Sequence, residues 1–185
     1  MIRLLIIFYF FFLFCSNASA SKLEIINNFK NIENLIFEFN QKIDDKIETG
    51  KCIVSYPKKI LCNYNDFYKK IMVSNGKNLL VNNNRTNLHN IYKLEKTPLI
   101  VILDKIFIID QMNKTSNFYE TENNFYFKIN FDNNEIIIFF DKTTLDIKGW
   151  TTKDIYQNKV ETKLNNLQRN QLINEDIFDI KKYMN

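Results

Sequence analysis

Two of the three cysteines, a single histidine and a surplus of aromatic rings are the features of this sequence that bear on chemistry. Cys52 and Cys62 each lie five residues from Pro57. Proline pre-sets a turn, so the segments before and after it read as the arms of a hairpin, and a turn centred on Pro57 sets the two cysteines opposite each other. In an exported protein, thiols so placed are expected to close a disulfide; a pair of buried free thiols is the alternative, and a zinc site would need further Cys or His ligands that are not nearby. His89, the one histidine, sits in the Asn-rich stretch 82–90, which reads as a turn and strand edge. No nucleophile elbow, phosphate loop or paired His/Cys spacing occurs, and three glycines cannot furnish a nucleotide-binding turn. No two carboxylates share an apolar setting that would raise one pKa for acid–base work. Neither an enzyme nor a metal or cofactor is expected. The aromatic content is the remaining signal: seventeen Phe and nine Tyr are more than a compact core of this size requires.

The compartment follows from the first twenty residues. Arg3 precedes an unbroken apolar run over residues 4–15, and a polar stretch leads into Ala18-Ser19-Ala20. That order is the signature of a secretory signal peptide, with cleavage expected after Ala20. About twelve apolar residues fall short of the roughly 20 that span hydrocarbon. A lipoprotein signal is a further option because Cys15 closes the run, but Phe14 is bulky where lipid attachment needs a small residue. The mature chain, residues 21–185, is then exported and soluble, and it keeps an even number of cysteines. Roughly 165 residues make one domain with a real core. Loss of Arg3 lowers the formal charge from +4 to +3, and the lysines interleave with Asp and Glu, which describes a solvated surface and not a nucleic-acid stripe. Lys58, Lys59, Lys69 and Lys70 read as a solvated strand face, the alternative being a basic patch for an acidic partner.

The hydrophobic period outlines the elements that hold these groups. Over residues 22 to about 34, Leu23, Ile26, Phe29 and Ile32 recur every three residues, which predicts an amphipathic helix. At Leu35 the period becomes two, and Leu35, Phe37 and Phe39 form one aromatic-rich strand face. Gly50 is expected to permit a turn or bulge before the strand carrying Cys52. Strands are then predicted over 68–74, 78–81 and 88–94, with Asn75-Gly76 as the strongest hairpin signal. Thr97 suits a helix N-cap and Pro98 a first helical turn, so a helix is predicted over 97–111, apolar nearly all round. Strands return over 118–120, 125–131, 135–140, 147–155 and 160–167. Ile136-Ile137-Ile138-Phe139-Phe140 is apolar on both faces and should lie between two apolar layers. Ile173, Ile177, Phe178 and Ile180 are expected to tuck against the sheet edge, with 181–185 frayed. The sum is about nine to eleven antiparallel strands in a sheet long enough to curl, with two helical segments as the only cover for its concave face.

These residues, taken in order, resemble a known family. The helix followed by Phe37-Glu38-Phe39-Asn40-Gln41, Gly50 with an apolar strand ending at Pro57, Tyr64 after the hairpin, and Val73-Ser74-Asn75-Gly76-Lys77-Asn78-Leu79 look like the periplasmic outer-membrane lipoprotein carrier, LolA. So do Tyr92 and Leu94 before Thr97-Pro98-Leu99, and Trp150 with Asp154, Asn158, Leu164 and Asn170 before Phe178. The resemblance implies an α+β, mainly β fold: an unclosed, strongly curved antiparallel half-barrel with a helical lid over an apolar cavity. It also implies a periplasmic chaperone that receives acylated lipoproteins from an inner-membrane release complex, shields their acyl chains and passes them to an outer-membrane acceptor. A monomer without covalent chemistry is expected. Phe37, Phe39, Tyr64, Leu99, Leu103 and Trp150 are the candidate cavity-lining groups, each with plain core as its alternative. One departure concerns the lid: the family commonly carries Arg before the hairpin proline, where it helps hold the lid shut, and this chain has Tyr56. A binding module for another amphiphile, such as a glycolipid or hydrophobic peptide, is the alternative on the same fold, and a closed, fully packed structural module is a third reading.

Overall fold

The computed structural model describes residues 22–132, 134–154 and 157–184, so the expected signal segment and Ile155 lie outside the described residues. Helix α1 (Lys22–Lys30) leads into six strands: β1 (Asn34–Ile43), β2 (Lys46–Ser55), β3 (Lys59–Tyr64), β4 (Lys70–Asn75), β5 (Asn78–Asn83) and β6 (Leu88–Lys93). Helices α2 (Leu99–Leu103) and α3 (Lys105–Lys114) follow. Strands β7 (Phe118–Glu120), β8 (Asn124–Phe131), β9 (Asn134–Asp141), β10 (Ile147–Lys153) and β11 (Lys159–Arg169) complete one sheet, and the tail carries two 3₁₀ turns. The strand order is β6-β5-β4-β3-β2-β1-β11-β10-β9-β8-β7, antiparallel throughout and unclosed. Two meanders therefore run outward from a central β1/β11 pair.

Alternation along the strands assigns the faces. Leu35, Phe37 and Phe39 of β1 are all buried, as the period of two requires. They share the main core with Ile25, Ile26 and Phe29 of α1 and with Ile102, Leu103 and Ile108 of α2 and α3, so the helices cover the concave face. Strand β9 is buried on both faces at its apolar end, where Ile138, Phe139 and Phe140 are all buried. Among the described residues no helix is long and apolar enough to cross a membrane.

Several boundaries differ from the sequence reading, each for a local reason. Helix α1 stops at Lys30, and the amides of Asn31 and Ile32 close a final turn on the carbonyls of Asn28 and Phe29. Ile32 is buried outside the helix, so its spacing only looked helical. The predicted helix over 97–111 is two helices, because Asp104 leaves helical space (φ −97°, ψ 85°) and its carboxylate accepts the Phe107 amide at 3.1 Å to start α3. Thr97 caps nothing forward; its hydroxyl donates back to the Leu94 carbonyl at 2.8 Å. Strand β4 begins at Lys70, two residues later than expected, because the Asp66 carboxylate accepts the Lys70 amide and holds 65–69 as a turn.

The tail does not lie at the sheet edge. Phe178 packs on Leu61, Val73 and Leu80 with Ile173, Ile177, Ile180 and Tyr183 around it, a second core on the convex face of β3–β5. Nor is it frayed at 181–184: the Tyr183 hydroxyl donates to the Ile177 carbonyl and its own carbonyl accepts the Asn82 amide group at 2.7 Å.

Candidate functional site

Between the concave face and α2 lies a cavity of about 410 Å³, within the roughly 300–1,000 Å³ typical of small-molecule sites. Its floor is aromatic. Phe37 and Trp150 meet edge to face with centroids 6.3 Å apart, and Phe39 and Tyr64 do the same at 5.0 Å. Ile60, Met72 and Leu79 extend the apolar wall across β3–β5, and Leu99 and Ile102 of α2 close it from above. Five of the six predicted cavity residues, Phe37, Phe39, Tyr64, Leu99 and Trp150, thus come together around one space. Leu103 is the exception: it is fully buried in the core beside the cavity, and Ile102 takes the lining position. The two are neighbours on an all-apolar helical turn, where the sequence offers no polar face to fix the rotation of α2.

Gly50 is not at a turn. It lies within β2 directly opposite Phe39 in the β1/β2 register. A β-carbon there would stand 2.7 Å from the Phe39 ring, so the missing side chain is what lets that ring lie down on the sheet and reach Tyr64. Gly149 repeats the device on the convex face, where it pairs with Phe139 and its missing β-carbon leaves room for that ring.

Cys52 and Cys62 face each other in the β2/β3 register and are joined by a disulfide, with Cα atoms 4.1 Å apart. Both line the cavity, so the cross-link stiffens its wall as well as the hairpin.

The cavity turns polar toward one end, where Gln41, Thr162 and Lys70 line it and an adjoining recess holds Glu48. Glu48, Gln41, Thr162 and Trp150 form one register row across β2, β1, β11 and β10. The Glu48 side chain, 5% exposed, is bridged by Lys46 at 2.5 Å and Lys70 at 2.7 Å. Burial raises its pKa, but hydrogen bonds from Lys46 and Lys70 and their charges more than offset this, so the carboxyl is held below the usual glutamate range. Lys70 also stands 3.8 Å from the centre of the Tyr64 ring. Burial, with the Glu48 and Asp66 charges, pushes the Tyr64 phenol up and keeps it neutral. This ionic end escaped the sequence reading, although the inward parity running back from Cys52 through Gly50 to Glu48 carries its signal.

Tyr56 meets the lid through its ring, with the Lys105 ammonium of α3 5.6 Å from the ring centre, and further groups tie the lid beside it. The Lys58 amide donates to the Leu103 carbonyl at 2.9 Å, and its ammonium lies 3.0 Å from the Asp104 carboxylate. Lys105 donates to the Lys30 and Ile32 carbonyls at 3.0 and 2.6 Å, joining α3 to the end of α1. Burial lowers the Lys105 pKa, and the Glu33 charge opposes this. Tyr56 packs its ring edge to face on Phe29, with centroids 6.0 Å apart, and burial pushes its phenol up. Of the four lysines read as a surface group, Lys58, Lys59 and Lys70 are each paired, with Asp104, Glu175 and Glu48. His89 is exposed on β6.

Compared with known proteins, residues 30–181 match the model of the family described as outer membrane lipoprotein carrier protein LolA. Among curated proteins no relative matches the sequence. Of solved structures, a LolA superfamily protein from Nitrosomonas europaea aligns at 6% identity over 89% of this chain and 100% of its own, with a TM-score of 0.44. A putative outer membrane lipoprotein-sorting protein domain from Vibrio parahaemolyticus aligns at 8% identity over 88% of this chain and 98% of its own, with a TM-score of 0.46.

Proposed function

This chain belongs to the outer membrane lipoprotein carrier protein family, LolA, and from that premise we propose that it is a periplasmic chaperone that binds the acyl chains of lipoproteins and carries them from the inner to the outer membrane. The observation that carries the reading is the lidded cavity of about 410 Å³ with its floor of Phe37, Phe39, Tyr64 and Trp150. Burying an acyl chain is worth about 0.8 kcal/mol per CH₂, so on the order of ten buried methylenes supply about 8 kcal/mol, equivalent to micromolar binding. A carrier needs that magnitude: enough to hold the chain in water, and little enough to give it up to a membrane acceptor.

On this reading residues 1–20 are the export signal, cleaved after Ala20, and 21–185 act as one carrier domain. The partners are acylated lipoproteins, an inner-membrane release complex and an outer-membrane acceptor. No step makes or breaks a covalent bond in the cargo, so the binding groups act by burial and shape alone.

The test is release. The purified mature chain is incubated with spheroplasts holding a labelled outer-membrane lipoprotein, and a one-to-one soluble complex is expected with the acylated form and not with a non-acylated control. A folded protein that takes up an apolar dye but forms no such complex serves another amphiphile instead.

A further inference from the structure

Three turns at one end of the half-barrel expose large apolar side chains together. Phe67 and Tyr68 stand on the β3–β4 turn with their rings edge to face at 5.3 Å. Phe67 is 67% exposed and Leu88, at the start of β6, is 70% exposed; Ile47 at the start of β2 is also exposed. Exposed apolar residues scattered singly need no explanation. These are not scattered: the Arg85 amide donates to the Tyr68 carbonyl at 3.3 Å, its side chain donates to the Phe67 carbonyl at 3.2 Å, and its guanidinium lies 3.8 Å over the Phe67 ring. Tyr68 and Leu88 also line one recess of about 310 Å³ with Lys46 and Glu48.

We propose that this end docks on a lipid bilayer, seating Phe67 and Tyr68 in the headgroup layer. Two features favour lipid over a protein groove. The aromatic pair projects from a turn, a shape suited to entering a fluid interface, and amphipathic rings beside cations are the composition that settles at headgroup depth. Among the described residues, the outward cations not paired with a carboxylate here are Lys69 and Arg85, since the exposed Lys46 and the half-buried Lys70 hold Glu48 between them; Asp44 and Asp45 are exposed at the neighbouring β1–β2 turn, while Asp66 accepts the Lys70 amide. The recess shares Lys70 and Val81 with the main cavity, so docking at this end brings the polar end of that cavity to the membrane surface. The inference goes beyond the carrier reading, and it is tested without any cargo.

The mature chain is sedimented with phosphatidylcholine vesicles, with and without phosphatidylglycerol. Co-sedimentation with the anionic vesicles is expected, reduced at least tenfold by the double substitution Phe67→Ser with Tyr68→Ser and unchanged by Tyr119→Ser on the opposite edge strand. Arg85→Gln is expected to weaken anionic binding about fivefold, the factor for one surface cation. Retained apolar-dye uptake shows that the variants fold and that the cavity is intact. As a second readout, the emission that Phe67→Trp adds to the Trp150 signal of the parent is expected to be quenched by brominated lipid, while that added by Tyr119→Trp is not. Failure of the parent chain to bind either vesicle, vesicle binding by the double variant equal to the parent's, or a concentration-dependent dimer lost with the double substitution would overturn the proposal.

Discussion

Phe39 lies over Gly50, its register partner across β1 and β2, close enough that a β-carbon at position 50 would stand 2.7 Å from the ring. The same hypothetical carbon would meet the Asn63 carbonyl oxygen of β3, so neither neighbour can give way freely. Gly50→Ala is therefore expected to cost about 1–3 kcal/mol, the range for overpacking, and to push Phe39 toward the cavity. Chemical denaturation measures the first effect, and reduced uptake of an apolar dye the second. A variant as stable as the parent would mean that the ring is not held by this contact.

The Cys52–Cys62 bond closes a loop of sequence separation 10. Chain entropy alone makes such a link worth about 2–3 kcal/mol. Because Lys58, within the loop, holds the Leu103 carbonyl and Asp104, reduction is expected to loosen the lid together with the hairpin. Mild reductant should lower the denaturation midpoint and speed dye entry. A changed midpoint with unchanged dye kinetics would confine the disulfide's effect to stability.

Asp104 combines two tasks, accepting the Phe107 amide and pairing with Lys58. Asp104→Ala should cost about 1 kcal/mol for the lost cap, with up to about 1 more for a partly exposed ion pair. Asp104→Asn keeps a cap and removes the charge, so it should lose much less. Comparing the two variants by thermal melts and by dye entry separates helix capping from lid tethering.

Glu48 makes stability depend on acid. Its folded pKa is depressed, so the unfolded chain takes up its proton first as pH falls. The contribution is complete above the ordinary value of 4.5 and is lost as pH drops below it through the folded pKa. Glu48→Gln is expected to lower stability at neutral pH and to flatten this acid limb. Denaturation midpoints followed from about pH 7 to about pH 3 test it, since parallel curves for the two proteins would remove Glu48 from the acid response.

Much of the fold was legible because it rests on short-range rules. The period of two at Leu35, Phe37 and Phe39 is a property of the strand itself, and so is the placement of Cys52 opposite Cys62 about Pro57. Where a single long-range contact overrode the local pattern, the reading failed. Ile32 kept helical spacing after the helix had ended, because the core accepted its side chain from a different backbone. The helix predicted over 97–111 breaks at Asp104, whose carboxylate caps α3 and meets Lys58, brought in from the hairpin.

Residues within a few positions of one another set the strand faces, the placement of Cys52 opposite Cys62 and the apolar character of the interior, whereas the bond between the two sulfurs is a feature of the structure. Tertiary structure alone decided that Ile102 and not Leu103 meets the cavity, and that the tail packs on the convex face of β3–β5. It also decided that Glu48 sits between Lys46 and Lys70 in the recess that adjoins the cavity. In each of these cases several partners were chemically equivalent in the chain, and the selection came from the register and curvature of the whole sheet, which no local window contains.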